Sequence, residues 1–187
     1  MSTTFRRWVP IALSVSLACF AAYVAAQQVM RHMADDPQIQ MAEDRAVELL
    51  RGRRPEGMVG NDTVDVDRSI APFVIIYDEN GQPIASGARL DSVTPRLPHG
   101  VFDYTRMHGE DRITWQPRHG VRLATVIVHH GGNPPGFVLA ARSLRESERR
   151  IDEIGRLLLA LWLAAIAGAL VLTALFTHAS VLHSARQ

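Results

Sequence analysis

Cysteine is almost absent from this chain: its one thiol, Cys19, lies inside an apolar run. No disulfide can staple the fold, which must be held by its core alone. That suits a bacterial periplasmic domain better than a small animal ectodomain. Lysine is missing, since all 20 basic residues are arginine, a bias that GC-rich coding explains without phosphate clamps. Net charge is only +1. A nucleic-acid binder needs a basic surface to neutralise phosphates, so that class is excluded.

Catalytic signatures are missing too. There is no H-E-x-x-H, nucleophile elbow, cysteine pair or phosphate loop. His129 and His130 are neighbours on a predicted strand, so they point to opposite faces and cannot share a metal from one side. His119 falls in a predicted turn, and Asp103, Glu110 and Asp111 read as solvating charges. Asp62, Asp65 and Asp67 lack the spacing and glycine of a calcium loop. Asn61-Asp62-Thr63 is a glycosylation triplet only in a eukaryotic secretory protein. No enzyme, cofactor or metal is expected.

What the chain does have is two long apolar runs. Trp8–Met30 carries no charge and follows Arg6 and Arg7, whose charge holds that end inside. A signal peptide cleaved after Val24-Ala25-Ala26 competes, but the run is long for one. A lipid anchor on Cys19 also competes, though Ser16 stands where an aliphatic residue is wanted. The retained span is preferred. Leu157–Phe176 is the second run, about twenty residues and enough to cross a bilayer as a helix. The expected layout is 1–7 cytoplasmic, 8–30 first span, 31–156 extracytoplasmic domain, 157–176 second span and 177–187 a cytoplasmic tail. That describes a two-pass protein of a bacterial inner membrane.

Between the runs, Asp36-Pro37 reads as an N-cap and first helical residue. Ile39, Ala42, Ala46 and Leu49 then recur at helical spacing up to Gly52. Residues 53–68 read as loop. Ala71–Tyr77 is apolar on both faces and predicts a central strand. Asp78-Glu79-Asn80-Gly81 is a tight hairpin turn, and Pro83 puts the return strand, 82–86, at an edge. Residues 87–100 read as loop, and 101–108 as either short helix or strand. Strands 111–116 and 121–130 flank a Pro117–Gly120 turn, with Val121, Leu123, Thr125, Ile127 and His129 on one face. After the loop 131–136, the strand Phe137–Ala141 runs into a helical pattern, 144–156, and on into the second span with no proline to stop it. Strand, helix and span form one rod, with Leu144, Ile151, Ile154 and Leu158 spaced as the seam of a helix pair.

This order, and above all Val74-Ile75-Ile76-Tyr77-Asp78-Glu79-Asn80-Gly81-Gln82-Pro83-Ile84-Ala85-Ser86, resembles single Cache domains, the PAS-like extracytoplasmic sensors of bacterial receptors. The resemblance covers residues 30–160 in layout. It implies an α+β fold: a five-stranded antiparallel sheet with a long N-terminal helix, flanked by two membrane helices and holding a small-molecule pocket. Such domains usually precede a kinase, cyclase or methyl-accepting domain. Only Thr177–Gln187 follow here, so signalling is expected through a separate membrane protein or a homodimer.

Tyr104, Arg106, His108, Trp115 and Arg142 are the candidate contacts for a small polar or carboxylate ligand, arginine as clamp and aromatics as walls. Taken singly, each is as readily a core aromatic or a surface charge. Ser14, Ala18, Ala22 and Ala26, with Ala160, Ala164 and Gly168, form rows of small residues that allow close helix packing. The alternative is a non-enzymatic assembly accessory that docks another extracytoplasmic protein, marked by a filled core and an exposed apolar patch. Topology is testable directly. A reporter active only outside the cytoplasm should give signal when fused at Gly60 or Gly132 and none at Gln187; signal at Gln187 would leave one spanning segment.

Overall fold

The computed structural model describes residues 3–60 and 62–184. Asn61 of the glycosylation triplet and the last three tail residues lie outside the described residues, as do the side chains of Arg7 and residues 31–36. Two compact units divide the chain: Met1–Met30 with Arg149–Gln187, and Arg31–Glu148.

The second unit is built on a five-stranded antiparallel sheet. Its strands are β2 (Phe73–Asp78), β3 (Pro83–Ser86), β5 (Glu110–Arg118), β6 (Val121–His130) and β7 (Gly136–Ser143). Their order is β3-β2-β7-β6-β5, so the last strand of the chain is the central one. Two-residue strands β1 (Val64–Asp65) and β4 (Ala88–Arg89) form a separate parallel pair, which gives the two segments read as loop a short ladder. Helix α1 (Thr3–Leu50) precedes the sheet, α2 (His99–His108) lies between β4 and β5, and α3 (Arg145–Ser184) follows β7. A single 3-10 turn, Pro55–Gly57, follows α1.

Each face of the sheet is buried by different elements. The period-two alternation puts Phe73, Ile75, Tyr77, Leu123, Ile127, Phe137 and Leu139 in one core with Phe102 of α2, Leu97, Val66 and Ala88. Val74, Ile76, Val126, Val138 and Ala140 form the other core with Ala42 and Ala46 of α1 and Met58. The modest stripe of α1 therefore suffices, because small alanines let the helix lie close to the sheet. β7 is buried on both faces over almost its whole length, which is why it reads as a continuous apolar run.

Helix α1 shows no start at Asp36-Pro37. It is one helix from Thr3 to Leu50, so Asp36 is an interior residue and not a cap. Proline removes one intrahelical bond, at about 3 kcal/mol. The residues on either side are helical for their own reasons, an apolar run before and a sheet-packed stripe after. The 101–108 ambiguity resolves as helix, because Phe102 and Thr105 turn inward one helical step apart. Strand β5 runs through Pro117 to Arg118, a place proline tolerates because β5 is an edge and its register shifts between Trp115 and Arg118. Helix α3 begins at Arg145 and continues without a break to Ser184.

Trp8–Met30 and Arg145–Phe176, the latter in the first unit from Arg149 on, are long and apolar enough to cross a membrane. Within this unit the two helices share a seam. Trp8 Nε1 donates to the Ile166 carbonyl at 3.3 Å, and Trp162 Nε1 donates to Ser16 Oγ at 2.8 Å. Half-buried Trp8, Ala12, Val15, Cys19 and Tyr23 recur at intervals of three and four, as do Ile151, Ile154, Leu158, Trp162 and Ile166. Of the seam read from Leu144, Ile151, Ile154 and Leu158, Leu144 precedes α3 and the other three lie on the row that meets α1 of the same chain. Ser14, Ala18, Ala22, Ala160, Ala164 and Gly168 are exposed in the single chain, and Ala26 is half-buried.

Two glycines are fixed by close approach. A Cβ on Gly81 (φ +75°) would meet the Phe102 ring at 2.9 Å, and one on Gly136 would lie 2.3 Å from the Tyr77 carbonyl oxygen. Gly136→Ala must therefore push β7 from β2 and should cost about 3 kcal/mol, the upper end for overpacking. Gly131→Ala, with nothing within 4 Å, is the control and should leave the melting temperature within a degree or two.

Candidate functional site

Two polar clusters lie at opposite ends of β7. The first gathers at its start, where the β2–β3 turn, α2 and the end of β6 converge. Asp78 Oδ1 accepts the N–H groups of Asn80 and Gln82 at 2.9 and 2.7 Å, which sets the turn and presents Glu79. Arg106 of α2 donates to Glu79 Oε1 at 2.7 Å, to the Glu79 carbonyl at 2.8 Å and to Asp103 Oδ1 at 3.0 Å. His129 Nε2 lies 3.1 Å from the other Glu79 oxygen. Beneath, Tyr77, Phe102 and Phe137 stack edge to face with centroids 5.1 Å apart. The Arg106 guanidinium sits 5.3 Å over the Phe137 ring. Arg106 therefore fastens α2 to the sheet through one carboxylate and one ring. The Arg106 guanidinium holds the Glu79 carboxyl below its ordinary 4.5, with His129 adding to the effect and partial burial opposing it.

The second cluster is the β7–α3 junction. A single residue, Leu144, separates strand from helix. Its N–H donates to the Arg122 carbonyl at 2.9 Å, and its carbonyl accepts the Glu148 N–H at 2.8 Å. Ser143 Oγ accepts the Arg145 N–H at 3.3 Å, satisfying one of the donors left free at a helix start. Arginines then hold the first turn. Arg142 donates to Glu146 at 3.3 Å and to the Ile70 carbonyl at 3.2 Å. Arg122 donates to Glu148 at 2.5 Å, and Arg145 donates to the Asp67 carbonyl. Each pair is partly exposed and worth little alone. Together with two backbone bonds they leave the first turn of α3 no hinge against the sheet.

The ligand contacts read from the sequence do not converge. Tyr104, Arg106 and His108 share α2, where Tyr104 is exposed and its ring stacks on His108 at 4.0 Å. Trp115 is buried in the core beside α2. Arg142 pairs with Ala124, whereas Trp115 pairs with Leu123, so the two side chains stand on opposite faces of the sheet. Glu79, His129 and Arg122 were missed. In the sequence Glu79 reads only as part of the Asp78–Gly81 turn, and Arg122 only as a position on the predicted strand 121–130. No signal in the sequence joins Glu79 to Arg106, since they meet only once α2 has folded over the sheet. Elsewhere, Arg118 takes Asp67 at 2.7 Å and Asp91 at 2.9 Å, so an arginine already occupies the acidic corner. Among the described residues, no group of three or more His, Cys, Asp or Glu is placed to hold a metal.

No protein family matches this chain, and no curated protein and no solved structure matches it either.

The Glu79 pairing has a measurable pH signature. Its carboxyl titrates below 4.5 when folded, so it contributes stability that is complete above that value and is lost as pH falls through the lower, folded one. Melting curves between pH 6 and pH 3 should show a smaller acid loss for Glu79→Gln than for the parent. Equal losses would remove Glu79 from the balance.

Proposed function

We propose that this chain is a membrane-anchored extracytoplasmic sensor, a Cache-like domain that binds a small ligand and passes its state through α3 to a separate membrane partner or a second copy. The observation that carries the reading is the junction. The central strand, buried on both faces, becomes a helix within one residue, and that helix continues unbroken into an apolar stretch long enough to cross a bilayer. A displacement of β7 then has no loop in which to dissipate. The five-stranded antiparallel sheet and the two flanking apolar helices support the Cache-like reading, and the exposed arginine pairs supply polar chemistry for a carboxylate-bearing ligand.

One observation favours the second reading, an assembly accessory that docks another extracytoplasmic protein. The sheet face beneath α2 is filled by Tyr77, Phe102, Trp115 and Phe137, all buried. A ligand on that face would have to displace α2 or lie beside it.

The test uses the full chain in lipid nanodiscs, in a Cys19→Ser background with cysteines at 16 and 162. Small carboxylates and amino acids are screened by thermal shift, since a ligand held only by the folded state raises its melting temperature. Each hit should change the crosslinking yield between the two helices, and Ile151→Pro, which breaks a helix bond, should abolish that change while preserving the thermal shift. Absence of any hit, or crosslinking that ignores a bound ligand, would overturn the sensor reading in favour of the accessory.

A further inference from the structure

His130 ends β6 on the face opposite His129, as the pairing of His130 with Gly136 and of His129 with Phe137 requires. Only 6 % of it is exposed, and its Nδ1 has no hydrogen-bond partner. The ring lies between two glycines. A Cβ on Gly132 would stand 3.1 Å from Nδ1, and one on Gly136 3.3 Å from Nε2. The Gly131–Pro135 loop can therefore close over the imidazole only because its residues there are small, and the first residue of β7 rests directly against the ring.

A neutral imidazole has one N–H and one bare nitrogen, whereas the charged ring carries N–H on both. With Nδ1 enclosed and unpartnered, the charged ring would bury a donor with no acceptor and a charge without solvent. None of the surrounding groups accepts a hydrogen bond from Nδ1. On β6 the neighbour is His129, a second base. On β2, Asp78 shares the cross-strand row through Gly136, but its Oδ1 already accepts two backbone N–H groups of the turn. Glu79 is held by Arg106 and His129. On β5, Glu110 pairs opposite Val128 and is bound by Arg112. From α2 comes Arg106, itself a cation. The sheet-facing residues of α1, Ile39, Ala42, Ala46 and Leu49, carry no charge, and residues 131–135 contain no titratable group.

We infer that the β6–β7 loop is a proton-operated catch, closed over neutral His130 and opened when that imidazole takes up a proton, which makes the proton a stimulus for this domain. The inference deepens the proposed sensor and rests on that reading only for what the opened loop would pass on. Position supports it. The catch lies at the start of β7 and the clamped junction at its end, so one buried strand joins the two. The direction is also consistent: burial, followed by the charge of His129, lowers the His130 pKa below 6.5, with Glu79 opposing. A group with a depressed folded value favours the closed form fully above 6.5 and progressively less as pH falls towards that value.

Hydrogen–deuterium exchange on the full chain in nanodiscs tests this, with protection factors corrected for intrinsic rates at pH 7.5, 6.5 and 5.5. Protection of the amides of Gly131, Gly132, Asn133 and Gly136 should fall by up to about tenfold between pH 6.5 and 5.5, the limit for one proton over one pH unit. His130→Phe keeps the ring's bulk and should make protection independent of pH. His130→Gln does the same should the larger ring fail to fit, and His119→Gln, in the exposed turn, should behave as the parent. Constant protection in the parent, or the same acid loss in both His130 variants, would overturn the catch. Crosslinking between positions 16 and 162 in the same samples separates the two proposals. A loop that opens with acid while crosslinking stays constant upholds the catch and removes the relay.

Discussion

Everything in the sheet-bearing unit depends on the burial of one strand from both sides. β7 is hydrogen-bonded to β2 and β6 and has α1 on one face and the α2 core on the other. Its backbone groups have no solvent to turn to and must stay paired. Gly136 is the tightest point, because the Tyr77 carbonyl occupies the space a side chain would need. A strand buried and paired on both sides leaves little room for a local bend.

That constraint gives meaning to polar groups that would otherwise be ordinary surface features. Salt bridges on exposed surfaces contribute little to stability, and the arginine pairs here are no exception. Their role is geometric: Arg106 fixes α2 over one end of the sheet, and Arg142, Arg122 and Arg145 fix the first turn of α3 at the other. The sheet supplies rigidity and the arginines decide what is attached to it. His129 and His130, side by side on β6, serve different faces, one tied to Glu79 and the other closed beneath a loop.

Much of this was legible in the residues. The alternation in β6 placed every side chain on its observed face, Asn80-Gly81 marked the hairpin, and Pro83 marked the edge. The pattern running without a break from strand to apolar run indicates that no loop intervenes before α3. The failures have physical causes. Asp36-Pro37 carries a strong local start signal, yet a helix already stabilised on both sides passes through it. Pro117-Arg118-His119-Gly120 reads as a turn, yet an edge strand with shifted register carries Pro117 and Arg118. The five candidate ligand contacts come from α2, β5 and β7, and sheet parity sets Arg142 and Trp115 on opposite faces. The contacts that do form, Glu79 with Arg106 and Arg122 with Glu148, join residues far apart in the chain, and neither pattern nor propensity encodes such meetings.

The single residue between β7 and α3 also fixes an angle. Each residue of an α-helix advances about 100° around its axis, so the length of that link sets which face of the first turn, Arg145–Glu148, the sheet meets. Adding or losing one residue at Leu144 would turn Glu146 and Glu148 through more than a quarter circle, away from Arg142 and Arg122. The exposed turn at His119-Gly120 has no such contact to lose. The junction does, and the chain thus carries its azimuth as a count of amino acids.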